Sequence, residues 1–183
     1  MRDRILDLAR SYLQESGFNS LSFQKIADDL KIKKPSLFHH FVSKEALGIR
    51  VIEQYQHAFE KWALKNEKLG PTAKIKKYFE IFEYFLKDDS KLCPVGALSV
   101  EVHNLPGSMK KLLRTLGDQH YQWLELTIKD GVKSKDFRIA QDPGTTSTMI
   151  LSAIHGAMLI SRVRQDGKAF ARVKTSIFAM LGI

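Results

Sequence analysis

FQKIADDLKIKKPSLFHHFVSKEAL, residues 23–47, decides the fold. Ile26, Ala27 and Leu30 give its first part the apolar spacing of a short helix. A brief turn follows. A second short helix opens on Lys33-Lys34-Pro35, and in the first turn the N–H that proline lacks is spare. Residues 31–44 hold four lysines (31, 33, 34 and 44), His39 and His40, and no acid. A compact helix pair with a basic, acid-free second half has the form of a helix-turn-helix that reads double-stranded DNA.

The pattern outside this stretch is helical almost throughout. Upstream, Ile5, Leu8, Ala9, Tyr12 and Leu13 make one apolar stripe, which Gly17 ends. Ser22 is placed to cap the next helix. Downstream, a fourth helix runs from Lys44 into the sixties, with Leu47, Val51, Tyr55, Ala58, Phe59 and Trp62 on one face. A Gly-Pro break lies within residues 66–71. Residues 74–87 are two-faced, and Asp88, Asp89 and Ser90 interrupt them. A shorter segment from Cys93 contains Gly96, which weakens a regular helix. Leu105-Pro106-Gly107 opens a long helix, and Asp142-Pro143 opens another that Asp166-Gly167 ends. A last helix runs from Lys168 to about Met180. No period-2 strand pattern or internal repeat is present, so the chain reads as all-α with about nine helices.

Composition narrows the function. A chain of 183 residues, 44% hydrophobic, suits one domain or a small head with a larger body. The net charge of +9 favours a polyanionic partner. It is spread along the chain: nine Lys/Arg stand against six acids in the first fifty residues, and twenty against fourteen in the rest. The local lysine run therefore says more than the total. The single cysteine, Cys93, excludes an internal disulfide framework and a four-cysteine metal site, and fits a reducing cytoplasm. No apolar run reaches the roughly 18 residues of a spanning helix. The acid-bearing start is unlike a signal peptide. No nucleophile elbow, phosphate loop or zinc helix motif occurs, and His39 and His40 are adjacent and diverge on a helix. No enzyme activity, metal, cofactor or membrane contact is expected.

Residues 26–47 resemble the helix-turn-helix signature of TetR-type transcriptional regulators. That signature runs Ile-Ala, a turn, a short recognition helix bearing Leu-Tyr-x-His-Phe, then Ser/Asn-Lys-Glu-x-Leu. The resemblance implies a three-helix DNA-binding head over residues 1–47 and a six-helix body over 48–183. It implies a homodimer, with the last two helices of each chain forming a four-helix bundle, and a small-molecule effector pocket in the body. The expected function is a repressor released from a palindromic operator. The chain departs from the signature at Lys31, where a turn glycine is usual, at Lys33, where a small cap is usual, and at Phe38, where tyrosine is usual. There is almost no arm ahead of the first helix.

The resemblance also assigns roles. Lys44 would meet a phosphate, with Ser36, His39 and His40 as further phosphate candidates. Gln24, Lys34, Pro35 and Phe38 take base-reading positions, and Lys25 and Lys33 add charge beside them. In the body, Trp62, Phe82, Phe85 and Trp123 are pocket candidates, with His120 and His155 as polar groups and an ordinary core as the competing reading. Cys93, at an apparent helix start, is expected to have a lowered pKa, which opens a thiol-sensing alternative beside that of a small buried hydrophobe. Ser152, Gly156, Ala153 and Ala157, with Phe170, Ile177 and Phe178, are dimer candidates, intrachain packing being the alternative. Two further readings stay open: a dimeric DNA-binding protein without ligand control, and a helical interaction module with a vestigial head.

Overall fold

The computed structural model describes residues 1–87 and 91–183; the interruption expected at Asp88–Ser90 lies outside them. Among the described residues there are nine α-helices and no strand: α1 (Arg2–Ser16), α2 (Phe23–Leu30), α3 (Lys34–Phe38), α4 (Lys44–Lys65), α5 (Pro71–Lys87), α6 (Pro94–Ser99), α7 (Gly107–Lys133), α8 (Pro143–Arg164) and α9 (Lys168–Leu181). A 3-10 turn, Val102–Asn104, follows α6. None of these helices is long and apolar enough to cross a membrane.

The boundaries follow local chemistry. Gly17 closes α1 at φ 77°, and its N–H bonds the Leu13 carbonyl. Ser43 caps α4, accepting the Ala46 N–H at 3.0 Å, which places Lys44 in the first turn. Asp142 caps α8 through the Thr145 N–H at 3.0 Å, with Pro143 next. Ser22 occupies the N-cap position of α2, as expected, with extended backbone and no side-chain cap bond. The α8 helix ends at Arg164, with a left-handed Gln165 (φ 53°) as its C-cap directly before the Asp166-Gly167 pair.

Two compact units form. The first is Met1–Glu60 with Cys93–Gly117, and the second is Lys61–Leu92 with Asp118–Ile183. The first unit's core joins Ile5, Ala9 and Leu13 of α1 to Ile26 of α2, Leu37 of α3 and Leu47, Val51 and Ile52 of α4. Leu98, Leu105, Met109 and Leu113 complete it. The α4 stripe is rotated from the expected one: Ile52 and Gln56 are buried, and Ala58 is exposed. Gln56 is satisfied by donating to the Leu112 carbonyl at 3.0 Å. The second unit packs Ile75, Tyr78, Phe79 and Phe82 of α5 with buried side chains of α7, α8 and α9. Phe137 turns back onto α7 at Gly131, where a Cβ would fall 2.1 Å from the ring.

The turn joining α2 to α3 is made by a residue that resists it. Lys31 sits at φ 55° and ψ 43°, in the left-handed region. Its N–H bonds the Asp28 carbonyl at 3.1 Å, and that of Ile32 reaches Ala27 at 3.0 Å, closing the end of α2. A left-handed lysine costs about 1–2 kcal/mol, whereas the extra unfolded-state freedom of glycine costs about 0.4–1. Lys31→Gly should therefore raise stability by somewhat under about 1 kcal/mol. Thermal unfolding checks this, and a lower midpoint would contradict the assigned strain.

Candidate nucleic-acid interface

The short α3 helix has one buried side chain, Leu37, at 0% exposure. That anchor turns the other residues outward. Lys33, Lys34, Pro35, Phe38 and His39 are exposed, and Ser36 and His40 are half-buried. Phe41 is buried and belongs to the core. Phe38 is 50% exposed although its ring meets Phe23 edge-on at 5.1 Å. A displayed aromatic ring next to exposed lysines suits contact with base edges and phosphates together.

Gln24 and Lys25 stand exposed on α2 and are held by neighbours. The Gln24 amide donates to Asp28 at 2.8 Å. The Lys25 ammonium lies 4.1 Å from the centre of the Tyr12 ring, whose hydroxyl bonds Asp29. Lys44 is also tethered: its ammonium donates to the Asn19 carbonyl at 3.2 Å and lies 4.5 Å over Phe18. Partial burial lowers its pKa. Arg2 joins this group, its guanidinium 5.5 Å from the Phe41 ring centre. It carried no motif, because a terminal arginine in a first helix is common on any solvated face.

The second unit holds a ring of aromatic and imidazole groups around Tyr78. Trp123 stacks on Tyr78 at 5.0 Å, Trp62 meets Trp123 at 4.9 Å, and Phe82 meets Tyr78 edge-on at 5.1 Å. His120 lies 5.8 Å from Tyr78 between ring centres, and its Nδ1 is 2.9 Å from the Tyr78 hydroxyl. His155 faces Phe82 at 6.2 Å. Five of the pocket candidates are thus gathered there: Trp62, Phe82, His120, Trp123 and His155. Phe85 meets its neighbour Tyr84 at 6.1 Å.

Cys93 belongs to the first unit, at the N-cap of α6, where its sulfur accepts the Gly96 N–H at 3.3 Å. The expected lowering of its pKa is reversed. Burial pushes the thiol up to about 11, outweighing the backbone donors. The outcome is a small buried hydrophobe with little thiolate.

Among the dimer candidates, Ala157, Phe170 and Ile177 are buried within the chain. Phe178 packs on Phe79 at 5.2 Å. Ser152 is exposed, Ala153 and Gly156 are half-buried, and a Cβ at Gly156 would meet open space. Beside them Met149, Ile160 and Val163 are exposed at 46%, 51% and 85%. Spacings of three, four and seven put these on one outward stripe of α8. Small residues four apart could not separate this stripe from the inward one, because α8 is apolar on both faces.

Burial lowers the pKa of His120 from 6.5 to about 3, and the neighbouring His155 adds to the shift. Burial lowers that of His155 as well. The unfolded chain then takes up protons before the folded one does. The stability tied to His120 is complete above pH about 6.5 and falls as pH drops toward 3, by up to about 1.4 kcal/mol per pH unit, and His155 acts in the same direction. Urea unfolding should show a lower midpoint at pH 5 than at pH 7, and His120→Gln should reduce that difference. An unaltered difference would contradict a His120 held neutral by its surroundings.

Comparison with known proteins places these features. Residues 5–51 match the family described as bacterial regulatory proteins, tetR family, and residues 71–177 match the tetracyclin repressor-like C-terminal domain. The chain is 21% identical to the HTH-type transcriptional repressor DhaR of Mycobacterium sp. (strain GP1), over 99% of this chain and 92% of that one. It is 46% identical to the HTH-type transcriptional regulator UidR of Escherichia coli (strain K12), over only 30% of this chain and 28% of that one. Among solved structures, a TetR transcriptional regulator from Legionella pneumophila superposes with a TM-score of 0.87 at 25% identity, covering 99% of this chain and 97% of that one. A TetR-family regulator from Agrobacterium tumefaciens shares the fold with a TM-score of 0.92 at 24% identity, over 98% and 96% of the chains. The helix-turn-helix and the helical body thus belong together, and the chain is a member of the TetR family of transcriptional regulators.

Proposed function

We propose that the protein is a homodimeric repressor, released from a palindromic operator by a small molecule. Residues 1–47 would bind DNA, and residues 48–183 would bind the effector and dimerise. One observation carries the DNA part: the acid-free segment 31–44 displays Lys33, Lys34, Pro35, Phe38 and His39 together, fixed by one buried leucine. Repression agrees with the name of the relative DhaR. The work would be done in the cytoplasm, where the DNA is.

In this reading Lys44, Ser36, His39 and His40 meet phosphates, with Lys25, Lys33 and Arg2 adding positive potential. Lys34, Gln24, Pro35 and Phe38 meet bases. Lysine can donate to guanine, glutamine can bond adenine, and the apolar pair suits a thymine methyl. Two copies are required because paired recognition helices reach successive major grooves about 34 Å apart. The outward α8 stripe of Met149, Ser152, Ala153, Gly156, Ile160 and Val163 supports such pairing, since small residues let helices approach closely and the apolar ones exclude water.

The effector would enter the aromatic cluster around Tyr78. Neutral His120 and His155 within apolar walls favour an uncharged or weakly polar molecule, since an ion would have to leave water uncompensated. Its binding would tilt α4 and change the distance between the two recognition helices, a coupling of two sites through two states. Losing the fit in one groove draws on the about 4–10 kcal/mol that separates specific from non-specific binding.

Selection of operators from random DNA by the purified protein, followed by metabolite-induced release, tests the whole reading. Lys44→Ala should weaken binding to every sequence and reduce the salt slope by about one ion. Lys34→Ala should change base preference as well as affinity. If both bind like the wild type at fixed salt, the head assignment fails. Ile160→Glu should convert a dimer into a monomer in light scattering; an unchanged dimer would rule out the α8 stripe as the interface.

A further inference from the structure

The turn between α1 and α2 carries a carboxylate from a distant part of the chain. Glu101, just after α6, accepts the Asn19 N–H through Oε2 at 3.1 Å. The seat exists because residue 17 is glycine. Gly17 is buried at φ 77°, and a Cβ there would lie 2.5 Å from Glu101 Oε1 and 2.7 Å from its Cδ. A side chain at residue 17 would therefore expel the carboxylate as well as strain the backbone.

The backbone carbonyl of Asn19 faces a cation. It accepts from the Lys44 ammonium at 3.2 Å. That ammonium lies over Phe18, 4.5 Å from the ring centre, and feels the charge of Glu101. Glu101, Asn19 and Lys44 thus form one chain of polar contacts, with an anion at one end and a cation at the other. Both charged side chains are half-buried, so water screens them less than it would a fully exposed pair.

We propose that Glu101 is a positioning residue for DNA binding, which holds the Lys44 ammonium toward the α1–α2 turn in competition with a DNA phosphate. The proposal rests on the reading that Lys44 meets phosphate. A phosphate oxygen arriving at Lys44 has to draw the ammonium from the Asn19 carbonyl and out of the field of Glu101. The carboxylate thereby sets how much of Lys44 is available. It follows α6 in sequence, so a shift of residues 94–104 would change DNA affinity with the three head helices unmoved. Glu101 would be the means by which that segment speaks to the head.

The test is a double-mutant cycle on wild type, Glu101→Gln, Lys44→Ala and the double variant. Binding to a labelled random-sequence duplex is measured at fixed low salt, and melting curves check that each variant folds. Glutamine keeps one acceptor oxygen and the shape, and removes the charge. Glu101→Gln should tighten binding about two- to fivefold, the range of partly exposed ion pairs, and should have no effect in the Lys44→Ala background. A gain of equal size in both backgrounds, or a loss in the Lys44 background, overturns the assignment to Glu101 while a weak Lys44→Ala variant leaves Lys44 in place. Wild-type affinity in Lys44→Ala overturns both. A purely structural Glu101 would give an effect that does not depend on Lys44.

Discussion

A helix of five residues cannot hold itself in water, because nucleating a turn costs more than so few hydrogen bonds return. The α3 helix is that short, and one fully buried side chain, Leu37, fixes it to the rest of the head. Everything that α3 displays at the surface depends on that contact. Ile5, Ile26 and Leu47, also at 0% exposure, belong to the same core cluster as Leu37. Lys34, Phe38 and His39 are free to face outward because Leu37 and Phe41 face inward. The surface of α3 is set by the core beneath it.

The head was legible in the sequence because several independent signals coincide there. Glycine 17, the Ile-Ala pair, Pro35 and the Ser-Lys-Glu cap each constrain a different bond or torsion, and they agree on helix limits. Lys31 shows the strength of that agreement. A residue that disfavours left-handed torsions adopts them, because the flanking hydrogen bonds and the buried Leu30 and Leu37 demand it. The body was legible only in outline. Periodicity shows that α8 is a helix, but with apolar residues all round it does not tell the inward face from the outward one. The inward face took Ala157, together with Phe170 and Ile177 of α9, and the outward one kept Ile160 and Val163.

Cys93 illustrates a related limit. The sequence marks its place at the start of α6, and the donors there do favour a thiolate. Desolvation depends on neighbours distant in sequence, and it is the larger effect. Local geometry and burial act in opposite directions on the same sulfur, and only burial needs the three-dimensional structure to be known. The Tyr78 cluster has the same character. Its members come from α4, α5, α7 and α8, so no window of sequence contains them together.

The half-exposed ring of Phe38 has a thermodynamic consequence. The free protein keeps an aromatic surface in contact with water, propped edge-on against Phe23. Whatever closes over α3 removes that surface from solvent and lowers the heat capacity of the system. Displacement of counterions from phosphates acts through mixing entropy and responds to salt instead. Were α3 to seat on DNA, binding would divide into an ionic part that fades with ionic strength and an apolar part that varies with temperature. The replacement of a phenol by a phenyl group at this position shifts weight toward the second.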